Sequence, residues 1–258
     1  MHNFVPLWMV FVITIGSVIC SIEYGYRWAD RRQARRRNEV EAPIGAMVGA
    51  SLGLLAFLLA VTFGIASEAI HDRRTAVVEE ANAIRTTFLQ ASLIPEPQRQ
   101  NIRGLLQEYT NERLRWAGVP VSTPSRSEDV LQSLLWQQTA MVGQNANNGE
   151  ALFIESMNRT FDLQARREML RFRSRIPGGY VFALLAISIL AHMAMGYHGG
   201  VAGTARSPVM LLVAIAFSVV ILLIFDLDRP EEGIVDVSQQ SMIDVRNWME
   251  GHLTNKDR

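Results

Sequence analysis

The feature that most constrains this chain is the concentration of its apolar residues in four blocks that contain no Asp, Glu, Lys or Arg. The blocks cover 4–22, 42–67, 177–197 and 207–225, and they are 19, 26, 21 and 19 residues long. A helix of about 20 apolar residues crosses the hydrocarbon layer of a bilayer. A core helix of a water-soluble protein normally keeps a polar face, whereas these blocks do not. The chain is therefore predicted to be an all-α protein with four transmembrane helices.

A polar segment, 68–176, separates the second block from the third. It contains 109 residues, with 14 Arg against 13 Asp and Glu. In its first part apolar residues recur at spacings of 7, 4, 3 and 4, which is typical of one helix face. These residues are Ile70, Val77, Ala81, Ile84 and Phe88. Because no helix breaker separates them from the second block, the second transmembrane helix is predicted to continue out of the membrane. Similar patterns predict further helices near 102–116, 130–142 and 150–175.

The order of these segments predicts four regions. A first transmembrane hairpin covers 1–67, a helical soluble domain inserted between the second and third membrane helices covers 68–176, and a second hairpin covers 177–225. The remaining residues, 226–258, hold eight acidic and four basic side chains. They are predicted to form an acidic tail with one helix over 238–252.

The charge and the cysteine content exclude several classes of protein. Lys and Arg together number 25, as do Asp and Glu, so no net charge favours nucleic-acid binding. The single cysteine, Cys20, cannot form an internal disulfide. We find no phosphate-binding glycine loop, no metal-ligand spacing and no serine elbow. No cofactor, metal or nucleic-acid partner is expected, and an enzyme acting on a lipid is only a third hypothesis.

Arginine is concentrated in the short loop 23–41, which contains six, whereas no Lys or Arg precedes the first block. Positive residues of short loops tend to remain in the cytoplasm. This count predicts a cytoplasmic loop, with the soluble domain and both termini on the opposite side. Five further Arg in 166–175, just before the third block, leave the opposite orientation open.

Small residues follow one face of the second apolar block. At about 100° per residue they fall within an arc of roughly 100°. The members of this glycine face are Gly45, Gly49, Gly53, Ala56, Ala60 and Gly64. Small side chains allow two membrane helices to approach closely. The face is therefore predicted to pack either against other helices of the same chain or against copies of itself.

Charged residues at the membrane edges have two interpretations. Asp226, Asp228 and Arg229 follow the fourth block directly. They form either a local ion pair that anchors the helix or, in an oligomer, part of a ring that attracts cations. Glu79 and Glu80 are adjacent and cannot share one helix face. One is expected to pair with an Arg of the fourth polar helix, while the other could face an axis.

Four stretches resemble the bestrophin-like family of bacterial and plant membrane proteins. They are GAMVGASLGLLAFLLAVTF at 45–63, DRRTAVVEEANAI at 72–84, LIPEPQR at 93–99 and DLDRP at 226–230. The resemblance covers most of the chain, and it implies a location in the bacterial inner membrane. It also implies a remote relation to bestrophins, which are pentameric anion channels whose second membrane helix lines an apolar neck.

If that arrangement applies here, the neck candidates are Leu54, Phe57, Leu58 and Val61. The resemblance places the helical domain in the cytoplasm, whereas the first arginine cluster predicts the other side. We expect no calcium dependence, because the sequence contains no recognisable acidic clasp for calcium. The leading hypothesis is a homo-oligomeric ion channel in contact with lipids and permeant ions. The alternative is a non-conducting membrane scaffold or sensor whose helical domain binds a partner.

Overall fold

A computed structural model describes residues 6–33, 43–115, 126–143, 148–173, 176–203, 207–229 and 235–254. Within these ranges it has eight α-helices, one short 3-10 turn and no strand, so the all-α prediction is confirmed. The helices, in chain order, are α1 (Leu7–Gln33), α2 (Ile44–Gln90), α3 (Gln98–Arg115), α4 (Arg126–Gly143), α5 (Asn148–Arg173), α6 (Gly178–Val201), α7 (Pro208–Asp228) and α8 (Gln240–Thr254). The 3-10 turn is Ala91–Leu93.

In the described part of the chain, four helices are long and apolar enough to cross a membrane: α1, α2, α6 and α7. They correspond to the four apolar blocks. The second is unusually long, because α2 runs for 47 residues without interruption. This matches the prediction that the helix continues beyond its apolar block, since Ile70, Val77 and Ala81 follow one another on its buried face.

The chain divides into two compact units. The first comprises Met1–Glu68 and Arg175–Val235, and the second comprises Ala69–Ser174 and Asp236–Arg258. Helix α2 contributes to both. The last helix, α8, belongs to the second unit, because Met242, Val245 and Met249 are buried in its core.

The first unit is held together by a very close approach of α1 and α6. A Cβ atom added to Gly196 would lie 2.0 Å from the carbonyl oxygen of Ile22, and one added to Gly25 would lie 2.0 Å from that of Met193. One turn further along α6, a Cβ atom on Gly200 would lie 2.6 Å from the Cβ atom of Ala29. Only glycine permits the two backbones to approach this closely.

The second unit has one apolar core formed by α2, α3, α4, α5 and α8. Its largest fully buried side chains include Phe88, Tyr109 and Phe153. The rings of Phe88 and Trp248 are in edge contact at 5.5 Å, which fixes α8 against the end of α2. A helical core of this kind supplies rigid positions for the polar groups described below.

Some sequence predictions concern residues outside the described ranges. They include the start of the first two apolar blocks, and Arg35, Arg36 and Arg37 of the arginine-rich loop 23–41. Arg175 and Pro230 also lie outside these ranges.

Candidate functional site

The apolar part of α2 has one face that is buried within the chain. Val48, Leu55, Leu59, Thr62 and Ala66 are all less than 7% exposed. Their spacings of 7, 4, 3 and 4 place them in one stripe along the helix. The other two faces of α2 are available to lipid or to another protein chain.

The glycine face is uncovered in the single chain. All six of its residues are exposed, and a Cβ atom added to Gly49, Gly53 or Gly64 would meet nothing within 4 Å. Of its four glycines only Gly45 has a near neighbour, because an added Cβ atom would lie 3.3 Å from the ring of His198. The close packing that small residues permit is therefore made by α1 and α6 within the chain, and not by this face.

The neck candidates lie on the third face of α2. Phe57, Leu54 and Val61 are 64%, 52% and 43% exposed, whereas Leu58 is half-buried. At 100° per residue the three exposed side chains lie within an arc of about 60°. The centre of this apolar face lies about 100° around the helix from the centre of the glycine face and more than about 140° from that of the buried face.

The carboxylates that follow the fourth block accept hydrogen bonds from backbone amides. Asp228 Oδ1 accepts from the amide of Ile176, two residues before α6, at 2.8 Å. Asp226, which is 4% exposed, accepts through Oδ2 from the amide of Val235 at 3.3 Å. Arg229 follows the end of α7 directly. Both carboxylates thus satisfy backbone amides of segments outside the membrane helices, one before α6 and one after α7.

Both glutamates of the adjacent pair on α2 bind arginines of α5. Glu79 Oε2 lies 2.5 Å from Arg166 Nη1, and the two side chains are 36% and 48% exposed. Glu80 is fully buried, and its Oε2 lies 2.7 Å from Arg167 Nη1. The placement of an acidic pair opposite an arginine pair gives one surface ion pair and one buried ion pair, side by side.

The buried pair belongs to a larger network. Arg113 of α3 donates to both carboxylate oxygens of Glu80, at 2.8 and 3.1 Å, and to Glu128 of α4 at 2.5 Å. The hydroxyl of Tyr109 donates to Glu80 at 3.3 Å. Arg167 also donates to the side-chain oxygen of Gln239, next to α8. Side chains of α3 and α5 therefore meet at the Glu80 carboxylate of α2, and the two arginines link it to Glu128 of α4 and to Gln239.

Electrostatics in this network favour the charged forms of Glu80 and Arg113. Burial alone would raise the pKa of Glu80, but the charges of Arg113 and Arg167 outweigh it and hold that pKa below its usual value. Burial would lower the pKa of Arg113, and the neighbouring carboxylates raise it instead. Burial raises the pKa of Tyr109 well above its usual value, so its hydroxyl stays protonated as a donor. With each charge compensated, the network has the character of a structural element.

Two groups of residues escaped the sequence reasoning. The close-packed Gly25, Gly196 and Gly200 were not identified, although the four-residue spacing in α6 was a visible signal. Arg113 and Glu128 were also missed. No local pattern could reveal that Arg113 pairs with both Glu80 and Glu128, because these partners lie 33 and 15 residues from it.

Comparison with known proteins agrees with this architecture. A family model, the Bestrophin-like domain, matches residues 11–242. The chain belongs to the Bestrophin-like family, and with its four apolar helices it is a membrane protein. No curated protein matches it.

Among solved structures, the chain is similar to mutants of a bacterial bestrophin homologue from Klebsiella pneumoniae. One has a TM-score of 0.68 at 12% identity, covering 94% of this chain and 97% of that chain. Another has a TM-score of 0.66 at 14% identity, with the same coverage. A further crystal structure, of a membrane protein, has a TM-score of 0.62 at 15% identity and again covers 94% and 97%. At these identities the likeness shows the fold.

Proposed function

We propose that this protein is a homo-oligomeric, multi-pass ion channel of the bacterial inner membrane, in which α2 of each subunit lines an apolar neck. Membership of the Bestrophin-like family and the shared fold support this assignment. The observation that carries it is the exposure of two distinct faces on one membrane helix. The glycine face has only small side chains and suits contact with a neighbouring chain, and the other face presents Leu54, Phe57 and Val61.

An arrangement of copies around an axis accounts for both faces. The buried stripe holds α2 against its own chain, the glycine face approaches the next copy of α2, and the apolar face closes a narrow passage. Such a constriction gates by excluding water. Pentameric assembly is implied by the family resemblance.

The neck assignment is tested by making the passage polar at one position. Val61→Thr keeps the size of the side chain and adds a hydroxyl, so it should ease wetting and raise the unitary conductance in planar bilayers severalfold. Val12→Thr is the matched control, because Val12 is 55% exposed on α1. Equal effects of the two changes would argue against a neck at Val61.

The assembly is tested separately by Gly49→Leu, which adds bulk to the glycine face. We expect the oligomer mass in detergent to fall, because the neighbouring helix can no longer approach. The control is Gly16→Leu on α1, where an added Cβ atom also meets nothing within 4 Å. An unchanged mass for Gly49→Leu would contradict the proposed contact.

A second candidate function is a non-conducting scaffold or sensor whose helical unit binds a partner. A row of exposed apolar side chains on α4 favours it: Val130, Leu134 and Met141 are 56%, 40% and 46% exposed and lie on one face. Planar bilayers separate the two candidates. Reproducible unitary currents support the channel, and silence of the purified oligomer across ions and voltages supports the scaffold.

A further inference from the structure

The last turns of α1 carry an exposed face that combines aromatic rings with arginines. We call it the aromatic-arginine face, and its members, all exposed, are Tyr24, Trp28, Arg31 and Arg32. At about 100° per residue they fall within an arc of about 100°. Of the three arginines of the loop 23–41 that the structure describes, two therefore lie on this face and only Arg27 lies beside it.

The positive charge of this face is not compensated within the described part of the chain. The nearby acids lie on another side of α1, because Glu23 and Asp30 are about 130° and about 150° from the centre of the face. Glu23 binds Arg27 at 2.7 Å. Arg31 and Arg32, by contrast, form no ion pair with any described residue. The aromatic-arginine face thus presents two free guanidinium groups.

Contacts with two other membrane helices place this face at the end of the apolar region. The third apolar block, 177–197, ends at Tyr197, and the ring of Tyr197 lies 5.4 Å from that of Trp28. The next residue, His198, lies beside Gly45, close to the start of the second apolar block. Trp28 is therefore level with one end of both blocks. Tryptophan and tyrosine favour this interfacial layer of a bilayer.

The two arginines follow Trp28 by about one turn, and their side chains lean back toward the membrane. Side chains of a helix point toward its N-terminus, which for α1 is the direction of its apolar block. The guanidinium of Arg32 lies over the ring of Trp28, 5.4 Å from the ring centre, which is a cation–π distance. This stacking holds a positive group beside an interfacial ring, at the depth where lipid headgroups lie.

We propose that the aromatic-arginine face binds anionic phospholipids. Arg31 and Arg32 donate hydrogen bonds to the headgroup phosphate, which arginine binds through paired N–H groups. The exposed rings pack against the glycerol region, and basic groups next to a membrane helix attract anionic lipids. Positive residues also stabilise a helix C-terminus, but that effect requires no exposed aromatic rings beside them. This inference is independent of conduction, because it depends only on the chain being a membrane protein.

The test measures lipid binding to the purified protein in detergent by native mass spectrometry. Phosphatidylglycerol or phosphatidylcholine is titrated in, and the lipid-bound fraction of the subunits gives an apparent Kd. We expect the wild type to bind phosphatidylglycerol more tightly than phosphatidylcholine. Arg31→Gln and Arg32→Gln should each weaken phosphatidylglycerol binding about fivefold, and the double variant about thirtyfold. Arg32→Lys, which keeps the charge, should lie between the wild type and Arg32→Gln.

Arg27→Gln is the matched control, because it removes the same charge from the same helix, but from a guanidinium that Glu23 already binds. We expect it to weaken binding by less than about twofold. Equal weakening by Arg27→Gln and by the two face variants would show that only net charge matters, and it would overturn the proposal.

Two further results would also overturn it. One is equal affinity of the wild type for the two lipids. The other is displacement of phosphatidylglycerol by inorganic phosphate at the same concentration, since the site would then bind a free anion. All the substituted side chains are exposed, so we expect the size-exclusion profiles of the variants to match that of the wild type.

Discussion

The adjacent glutamates of α2 provide a direct test of how burial governs the strength of an ion pair. Glu80 is fully buried and accepts from Arg113, Arg167 and Tyr109, at distances between 2.7 and 3.3 Å. Glu79 binds Arg166 at 2.5 Å, but both side chains remain more than a third exposed. The two residues share a helix, a charge and a partner type, so their comparison sets a buried carboxylate with three donor residues against an exposed one with a single arginine.

Glu80→Gln removes one charge and leaves Arg113 and Arg167 facing a neutral amide inside the core. Breaking a buried ion pair by removing one partner costs about 3–5 kcal/mol of unfolding free energy. For a domain of this size, each kcal/mol lowers the melting temperature by about 2–4 °C, which gives a loss of roughly 6–20 °C. Glu79→Gln should cost about 0–1 kcal/mol, because water screens an exposed pair.

The assay is thermal unfolding of the purified protein in detergent, repeated at low and high salt. Added salt should reduce the difference in melting temperature between wild type and Glu79→Gln, since salt screens exposed charges. It should leave the larger difference between wild type and Glu80→Gln unchanged. Equal melting-temperature losses for the two variants would refute the argument that burial makes Glu80 the stronger partner.

Three other outcomes follow from the same structure. Gly196→Ala should destabilise the protein by about 1–3 kcal/mol or more, because its Cβ atom would overlap the carbonyl of Ile22. Gly16→Ala, where an added Cβ atom meets nothing within 4 Å, should not lower the melting temperature in the same measurement. Tyr109→Phe should cost about 1.5 kcal/mol through loss of the hydrogen bond to Glu80, and an unchanged melting temperature would contradict it. Because the pKa of Glu80 is lowered on folding, its stabilising effect is present above its unfolded pKa, about 4.5, and is lost as the pH falls through the folded value. The stability difference between wild type and Glu80→Gln should therefore shrink in acid.

The sequence was sufficient for the features that depend on local periodicity. The apolar blocks determined the membrane helices, and the stripe through Ile70, Val77 and Phe88 predicted the extension of α2, because a helix that buries one face must repeat its apolar residues every three to four positions. The same reasoning located α3, α4 and α5 to within a few residues. These elements are defined by neighbours along the chain.

Pairings between distant segments could not be obtained in this way. Fourteen arginines and thirteen acids occupy the segment 68–176, and nothing in their spacing singles out Arg113 as the partner of Glu80. The sequence predicts that one of the two adjacent glutamates pairs with an arginine of α5, whereas in the structure both Glu79 and Glu80 do so. Such choices depend on which helices pack together and are settled only by the tertiary structure.

The small residues of the membrane helices illustrate the same limit and also support the proposed assembly. Gly196 and Gly200 on α6 resemble Gly49 and Gly53 on α2 in spacing, yet the first pair is in tight contact with α1 while the second meets nothing within 4 Å. Two glycines spaced by four residues thus contact a neighbouring helix of the same chain on α6, whereas the corresponding pair on α2 stays exposed. Since glycine in a helix interior costs about 1 kcal/mol relative to alanine, an open row of glycines is best explained by a partner outside the chain. The proposed assembly supplies a second copy of α2 as that partner, and it would bring Phe57 of each copy around one axis.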